Sequence, residues 1–383
     1  MMAIMQEKDL NLASRMDKIE GSGVRRMFEL VSSMQDPINL SIGQADYDAP
    51  PAMKEGAIKA IQEGKNRYTV TQGIPELIEK VLDRIERREG FRPESAFMTS
   101  GVSGGLLLTA LALLDPGDLV LLPDPFFVMY KNVLEIVGAR VAFFDLYPKE
   151  RGEGWQPDLN ELETLFAKKP KLLLLNSPSN PTGGILSGET LDSLTNLAAS
   201  HGTWILSDEI YDHFSFDQRF PSMIPRMSQY ERCVVLGGFS KTWGVPGWRL
   251  GWALGPELLL DKMRLLQQYT FVCCPTPLQY GAVAGLEMDM EDELQAYRKK
   301  RDFVYQGLKD FYSLEKPEGS FYAFPAYPKG WTEKDFIQAC LERRLLLVPG
   351  SAFSRRATHF RLSFAASDET LEKGVEVLRS LAK

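Results

Sequence analysis

GGFSKTWGVPGWRLGW, Gly237–Trp252, is the stretch on which the fold turns. It holds three of the chain's six tryptophans and five glycines, but only two charges, Lys241 and Arg249. The apolar run CVVLGG (Cys233–Gly238) leads straight into that lysine. Surface lysines normally sit among polar neighbours. This one follows a run that reads as a buried strand.

Similar runs lie upstream. DLVLLP (Asp118–Pro123), KLLLLN (Lys171–Asn176) and TWILSDEIY (Thr203–Tyr211) read as strands, and RLGWALG (Arg249–Gly255) reads as another. Between the second and third lies SGETLDSLTNLAASHG. There Leu191, Leu194, Leu197 and Ala198 form one helical stripe, with Gly202 as the stop. Strands separated by helical crossovers predict an α/β domain with a mainly parallel sheet and helices on both faces. The last third changes character. A charged helix is expected at Glu291–Leu308, then FYAFP, a helix around Asp335–Arg343, and HFRLSFA. This predicts a smaller α+β domain. The expected division is 47–284 for the large domain, with 1–46 and 285–383 forming the small one. An amphipathic helix is expected at Ile19–Met34.

Composition narrows the function classes. The 383 residues are 44% hydrophobic and 25% charged, ordinary for a globular protein. A net charge of -7 gives no basic footprint for nucleic acid. No apolar run approaches a membrane span, and the N-terminus carries early charges rather than the apolar core of a signal peptide. Cys233, Cys273, Cys274 and Cys340 contain no CxxC pair, so reduced thiols in a cytoplasm are expected. His201, His213 and His359 lack metal-ligand spacing, and no metal is expected.

In a parallel sheet, ligands bind at the carboxyl ends of the strands. Three polar groups fall there: Asn180 after KLLLLN, Asp208 ending TWILSD, and Lys241 after CVVLGG. Desolvation lowers a lysine's proton affinity and suits it to Schiff-base chemistry. A carboxylate holds a ring nitrogen protonated, as a pyridine cofactor requires. Asp208 and Tyr211 both have the reach for such a ring. Arg249 offers a planar fork for a phosphate. TSGVSGGL (Thr99–Leu106) opens a helix whose free amides make an anion cradle. PDPFF offers Phe127 or Phe126 as a platform for a ring. GGFSKT is not a P-loop, which needs glycine immediately before the lysine; here that residue is Ser240.

These motifs resemble the fold type I pyridoxal-phosphate enzymes, class I/II aminotransferases of the aspartate aminotransferase group. The resemblance runs from LSIGQADYDAP and RYTVTQGIPEL through LLDPGDLVLLPDPFF, NSPSNPTGG and SDEIYDHF. It continues to FSKTWGVPGWRLGW, GSFYAFP, LLVPGSAFS and FRLSFA. It implies a pyridoxal 5'-phosphate Schiff base on Lys241, which also shuttles the proton. It implies Asp208 on the pyridinium nitrogen, Asn180 and Tyr211 on the ring oxygen, and Phe127 stacked on the ring. Arg249 and the amides of Val102 and Ser103 are implied phosphate ligands. Arg361 and the amide of Gly43 are implied to hold the substrate α-carboxylate. Tyr68 is implied to reach the neighbouring subunit's cofactor in a homodimer. One position departs from the pattern: Gly238 stands where many relatives have a phosphate-binding serine.

The expected reaction moves an amino group from an L-amino acid to a 2-oxo acid. A β-eliminating lyase, or a cyclising enzyme, uses the same carbanion; need for a keto-acid acceptor separates them. A regulatory domain on this fold lacks support, because no spare DNA-binding module precedes it. Arg25 and Arg26 are the candidates for a distal carboxylate.

Overall fold

The computed structural model describes residues 12–19, 21 and 34–382. The helix expected at Ile19–Met34 falls outside these, apart from Ile19, Gly21 and Met34, as do Arg25 and Arg26. A short strand, β1 (Ile38–Asn39), precedes the main sheet. That sheet comprises β2 (Ala96–Thr99), β3 (Leu119–Asp124), β4 (Arg140–Asp145), β5 (Leu172–Asn176), β6 (Trp204–Asp208), β7 (Cys233–Gly238) and β8 (Gly251–Leu254). Their spatial order is β2-β8-β7-β6-β5-β3-β4.

All strands run the same way except β8, which is antiparallel to both neighbours. The expectation of a mainly parallel sheet therefore holds, with RLGWALG as its one reversed member. The reason is the connection. A helical crossover is what returns the chain to the same end of a sheet. Between β7 and β8 there is only a loop with one 3-10 turn, Pro246–Trp248.

Period-two alternation sorts the sheet's leucines between its two faces. Leu173 and Leu175 join one core cluster, together with Leu77, Leu162 and Leu194 from flanking helices. Leu172 and Leu174 join another, with Leu108, Leu134 and Leu260. All four strand leucines are at most 1% exposed. Each such burial is worth about 1.5–3 kcal/mol, which is why so apolar a run can sit only at the centre of a two-faced sheet. The helix read between β5 and β6 spans Gly188–His201. Ser187 caps it, its hydroxyl accepting the Thr190 amide at 3.0 Å, and Gly202 ends it at φ 66°.

Four strands follow in the C-terminal part: β9 (Tyr322–Ala323), β10 (Leu345–Leu346), β11 (Val348–Pro349) and β12 (Phe360–Ser363). β1 pairs in parallel with β10, and β11-β12-β9 form an antiparallel sheet. Helices Glu291–Leu308, Glu333–Glu342 and Asp368–Leu381 pack with them around a separate cluster, which includes Phe336, Leu362 and Leu378. Among the described residues no helix is long and apolar enough to cross a membrane.

Candidate active site

The carboxyl ends of β5, β6 and β7 open on one cavity of about 220 Å³. Asn180, Asp208, Tyr211, Lys241, Arg249 and Arg361 all line it, and so do Gly43, Val102, Ser103 and Phe127. Of the residues that the resemblance assigned to cofactor or substrate, Tyr68 alone stands apart among the described residues: it is 84% exposed and outside this lining. A larger cavity of about 810 Å³ lies beside Phe126 and Phe143, but it contains none of the strand-end groups. The smaller one holds the strand-end groups. Phe126 is buried against Phe143, ring centres 5.3 Å apart, while Phe127 faces the smaller cavity.

Asp208 is the last residue of β6 and is buried. Its Oδ2 accepts from the Tyr130 hydroxyl at 2.8 Å and its Oδ1 from the Ile210 amide at 3.1 Å. Burial raises its proton affinity, to a pKa of about 6, against the pull of Tyr130, Ile210 and Lys241. Alternation decides which acid of SDEIY enters the site. Glu209 turns the other way and is held by Ser207, Ser222 and the Met223 amide.

The Lys241 Nζ donates to the Gly43 carbonyl at 2.7 Å. Burial lowers its pKa to about 8, and Arg361 adds to the effect. Gly43 was expected to offer its amide to a substrate; here its carbonyl engages the lysine. A side chain at 43 would collide with the Tyr322 hydroxyl, so this close approach needs glycine.

Arg361 sits on β12 and is 1% exposed. The strand turns this residue inward. Its Nη1 donates to Asn180 Oδ1 at 2.9 Å and its Nη2 to the Ser41 carbonyl at 2.7 Å. Its guanidinium lies between the rings of Tyr322 and Phe353, 4.5 and 4.6 Å from their centres. Its Nε is buried and has no partner among the described residues. The Tyr211 hydroxyl lies 3.0 Å from that of Tyr322. Burial, and then Tyr322, push its ionisation well above the usual phenol range, so it stays neutral.

The helix Gly101–Leu113 begins at the other end of the cavity. Among the described residues no backbone acceptor takes the amides of Val102 and Ser103. Arg249, at φ 53° beyond the 3-10 turn, lies against this helix start. A Cβ on Gly101 would come within 2.8 Å of its Nη2. Two free amides, a helix N-terminus and a guanidinium make an anion cradle. A Cβ at Gly238 would lie 3.1 Å from both Ile210 Cδ1 and the Leu250 carbonyl. A side chain at 238 would thus be tight against its neighbours, and Ser240 lines the cavity.

Three polar lining residues escaped the sequence reading. Tyr130 looked like a core aromatic on the helix Val128–Ile136, and Tyr322 like a strand aromatic. Asn176 looked like a strand end; its side chain donates to the Asp208 carbonyl at 3.0 Å and accepts the Asn180 amide at 3.0 Å. A period-3 spacing from Phe127 to Tyr130 was the one available signal.

The family profile described as aminotransferase class I and II matches residues 35–378. The chain belongs to the class I and II aminotransferases. A probable aspartate aminotransferase of Methanocaldococcus jannaschii is 35% identical over 382 residues, covering 97% of this chain and 99% of that one. Among solved structures, the Thermus thermophilus aspartate aminotransferase with maleate superposes with a TM-score of 0.90 at 30% identity, covering 97% of this chain and 99% of that one. The aromatic aminotransferase of Pyrococcus horikoshii superposes with a TM-score of 0.86 at 30% identity, covering 94% and 98%. The chain thus has the α/β architecture of fold type I, the fold family associated with pyridoxal phosphate.

Proposed function

We propose that the protein is a pyridoxal-phosphate-dependent aminotransferase acting between an L-amino acid and a 2-oxo acid. The observation that carries this is the meeting of Lys241, Asp208 and Arg361 with an anion cradle around one cavity. The residues fit the cofactor's chemistry. A buried carboxylate with raised proton affinity suits a ring N–H, free helix amides suit a phosphate, and Phe127 offers a flat face. On this reading Asp208 holds the ring nitrogen, Asn180 and Tyr211 the ring oxygen, and Arg249 with Val102 and Ser103 the phosphate. Once bound, the cofactor supplies an electron-withdrawing ring joined to the substrate's amino group.

The rest falls to the chain. Arg361 takes the α-carboxylate with its fork, which fixes the direction of the Cα–H bond. Lys241 Nζ takes the Cα proton as general base, with its proton affinity already lowered by burial. The three cations that line the cavity all have roles in this scheme. Recognition of the substrate side chain is assigned to groups beyond it, for which Arg25 and Arg26 remain the candidates. The relatives are named for aspartate and for aromatic substrates.

The test is a half-reaction screen. Protein in its aldehyde-cofactor form is mixed with each L-amino acid while the absorbance is followed. An aminotransferase converts its cofactor once, and a 2-oxo acid restores it. Continuous release of ammonia without any acceptor would instead identify an eliminating lyase. In the same assay Arg361→Lys should weaken binding of every amino acid by about 10- to 100-fold, the cost of losing a charge-assisted fork. A loss confined to acidic amino acids would give Arg361 a different role.

We further propose a homodimer in which Tyr68 completes the partner's site. Thr276 and Gln279, at the start of the helix that follows the exposed Tyr269, Phe271 and Val272, bond to the loop carrying Tyr68. Contiguous exposed apolar side chains of this kind mark an association surface. Reassembling Lys241→Ala with Tyr68→Ala chains should restore about a quarter of all sites, because half of randomly paired two-fold dimers are mixed and each has one intact site. No restored activity, with mixed dimers demonstrated by mass, would contradict a shared site.

A further inference from the structure

We propose that Tyr47 is a positioning residue for Lys241, its hydroxyl holding the backbone turn from which the lysine reaches the cavity. The inference rests on the reading of Lys241 as the general base. Three observations carry it. The Tyr47 hydroxyl lies 2.8 Å from the carbonyl oxygens of both Lys241 and Thr242, so its one proton is shared between them. Among the described residues the Thr242 carbonyl has no other donor, and the Lys241 carbonyl has besides it only the Gly244 amide, at 3.4 Å. The turn is also shaped to Tyr47. A Cβ on Gly244, which has φ 64°, would come within 2.9 Å of the Tyr47 carbonyl, so this approach needs glycine. Earlier in the same segment, the Gly43 carbonyl accepts from the Lys241 Nζ at 2.7 Å. One segment thus grips the lysine by its backbone and by its amine.

Segment 41–47 is itself anchored at both ends. The Leu40 carbonyl accepts the Ser363 amide of β12 at 2.8 Å, and the Ser41 carbonyl accepts from Arg361 Nη2 at 2.7 Å. At the other end Asp46 Oδ1 accepts from the Tyr297 hydroxyl at 2.6 Å, the Asp46 amide donates to that hydroxyl at 3.0 Å, and Lys300 pairs with Oδ2. Tyr297 and Lys300 belong to the helix Glu291–Leu308, and the rings of Tyr47 and Tyr297 meet edge to face at 5.9 Å. The segment therefore touches Arg361 through Ser41 and Lys241 through Gly43 and Tyr47, and it couples the place of the base to that of the fork. Trp243 supports another side of the turn, its indole donating to the Gly285 carbonyl at 3.0 Å, and leaves both carbonyls to Tyr47. Burial, followed by the charges of Glu293 and Asp46, raises the Tyr47 phenol above its usual range, so it stays a donor at working pH.

The experiment is Tyr47→Phe in the full-length protein, which keeps the ring and removes only the hydroxyl. The first readout is deuterium exchange of the ligand-free protein, followed by mass. Exchange of the peptide spanning 239–245 should quicken about 3- to 10-fold, the loss of one hydrogen bond, while peptides from β3 and β5 keep their rates. The second is the single-turnover half-reaction of cofactor-loaded protein with whichever of the common L-amino acids reacts fastest. Its rate at saturation should fall about 10-fold, because the base no longer stands squarely at the Cα proton. The half-saturating concentration, set by Arg361, should stay within about twofold. Deuterium at Cα should slow the variant more than the parent, since proton removal then limits the rate more fully. A merely structural role would lower the melting temperature and leave the saturated rate and the isotope effect unchanged. That result, or unchanged exchange at 239–245, overturns the inference. Lys241→Ala is measured alongside: if it is inactive while Tyr47→Phe turns over normally, the inference alone fails, whereas a fully active Lys241→Ala overturns the reading of the lysine on which it rests.

Discussion

Lys241→Ala is expected to lower the rate of amino-group transfer by about 10⁴-fold or more, the upper end of what a positioned general base contributes. Among the described residues the cavity has no substitute for it. Its other cations, Arg249 and Arg361, are guanidiniums that do not give up a proton in working solutions, and each is tied to carbonyl or amide oxygens. The pH dependence follows from the lysine's environment. With a pKa near 8, its neutral form gains population as pH rises through 8 rather than through the ordinary lysine range. Activity limited by free Lys241 should therefore climb between about pH 7 and 9. A fully active alanine variant would remove the lysine from the mechanism.

Asp208→Asn should cost about 10²–10³-fold in turnover while the cofactor stays bound, since the phosphate cradle and Lys241 are untouched. Asparagine keeps the shape and the hydrogen bond from Ile210, but not the negative charge that a ring N–H requires. The raised proton affinity of Asp208 is itself informative. Burial outweighs the pull of Lys241 and disfavours the anion, and a protonated ring would reverse that balance. The measurement is single-turnover absorbance of the loaded variant. An unchanged rate would show that the acid is structural.

The sheet was legible because its strands are short, continuous and apolar, a pattern tolerated only where both faces are covered. Its strand ends were legible for the same reason: a charged or amide side chain directly after such a run has to enter a cavity. Direction was less legible. RLGWALG has the same composition as its neighbours, and only the missing helix before it signals reversal. Tyr130, Asn176 and Tyr322 were hidden because each also satisfies an ordinary core role; what sets them apart is a partner far away in sequence. The place of Tyr322 beside Gly43, bridging β9 and the segment after β1, is a tertiary fact of this kind. Gly238 could be flagged as a departure, but the tight neighbours Ile210 and β8 are visible only in the fold.

The central claim is that Lys241 is the residue that carries the cofactor. The most direct test is to load the protein with pyridoxal phosphate, reduce it with borohydride, digest it and locate the pyridoxyl group by mass. The group should be found on the peptide containing Phe239–Trp243, attached to Lys241 and in a ratio near one per chain. Attachment to any other lysine, or a reduced protein carrying no pyridoxyl group, would contradict the account.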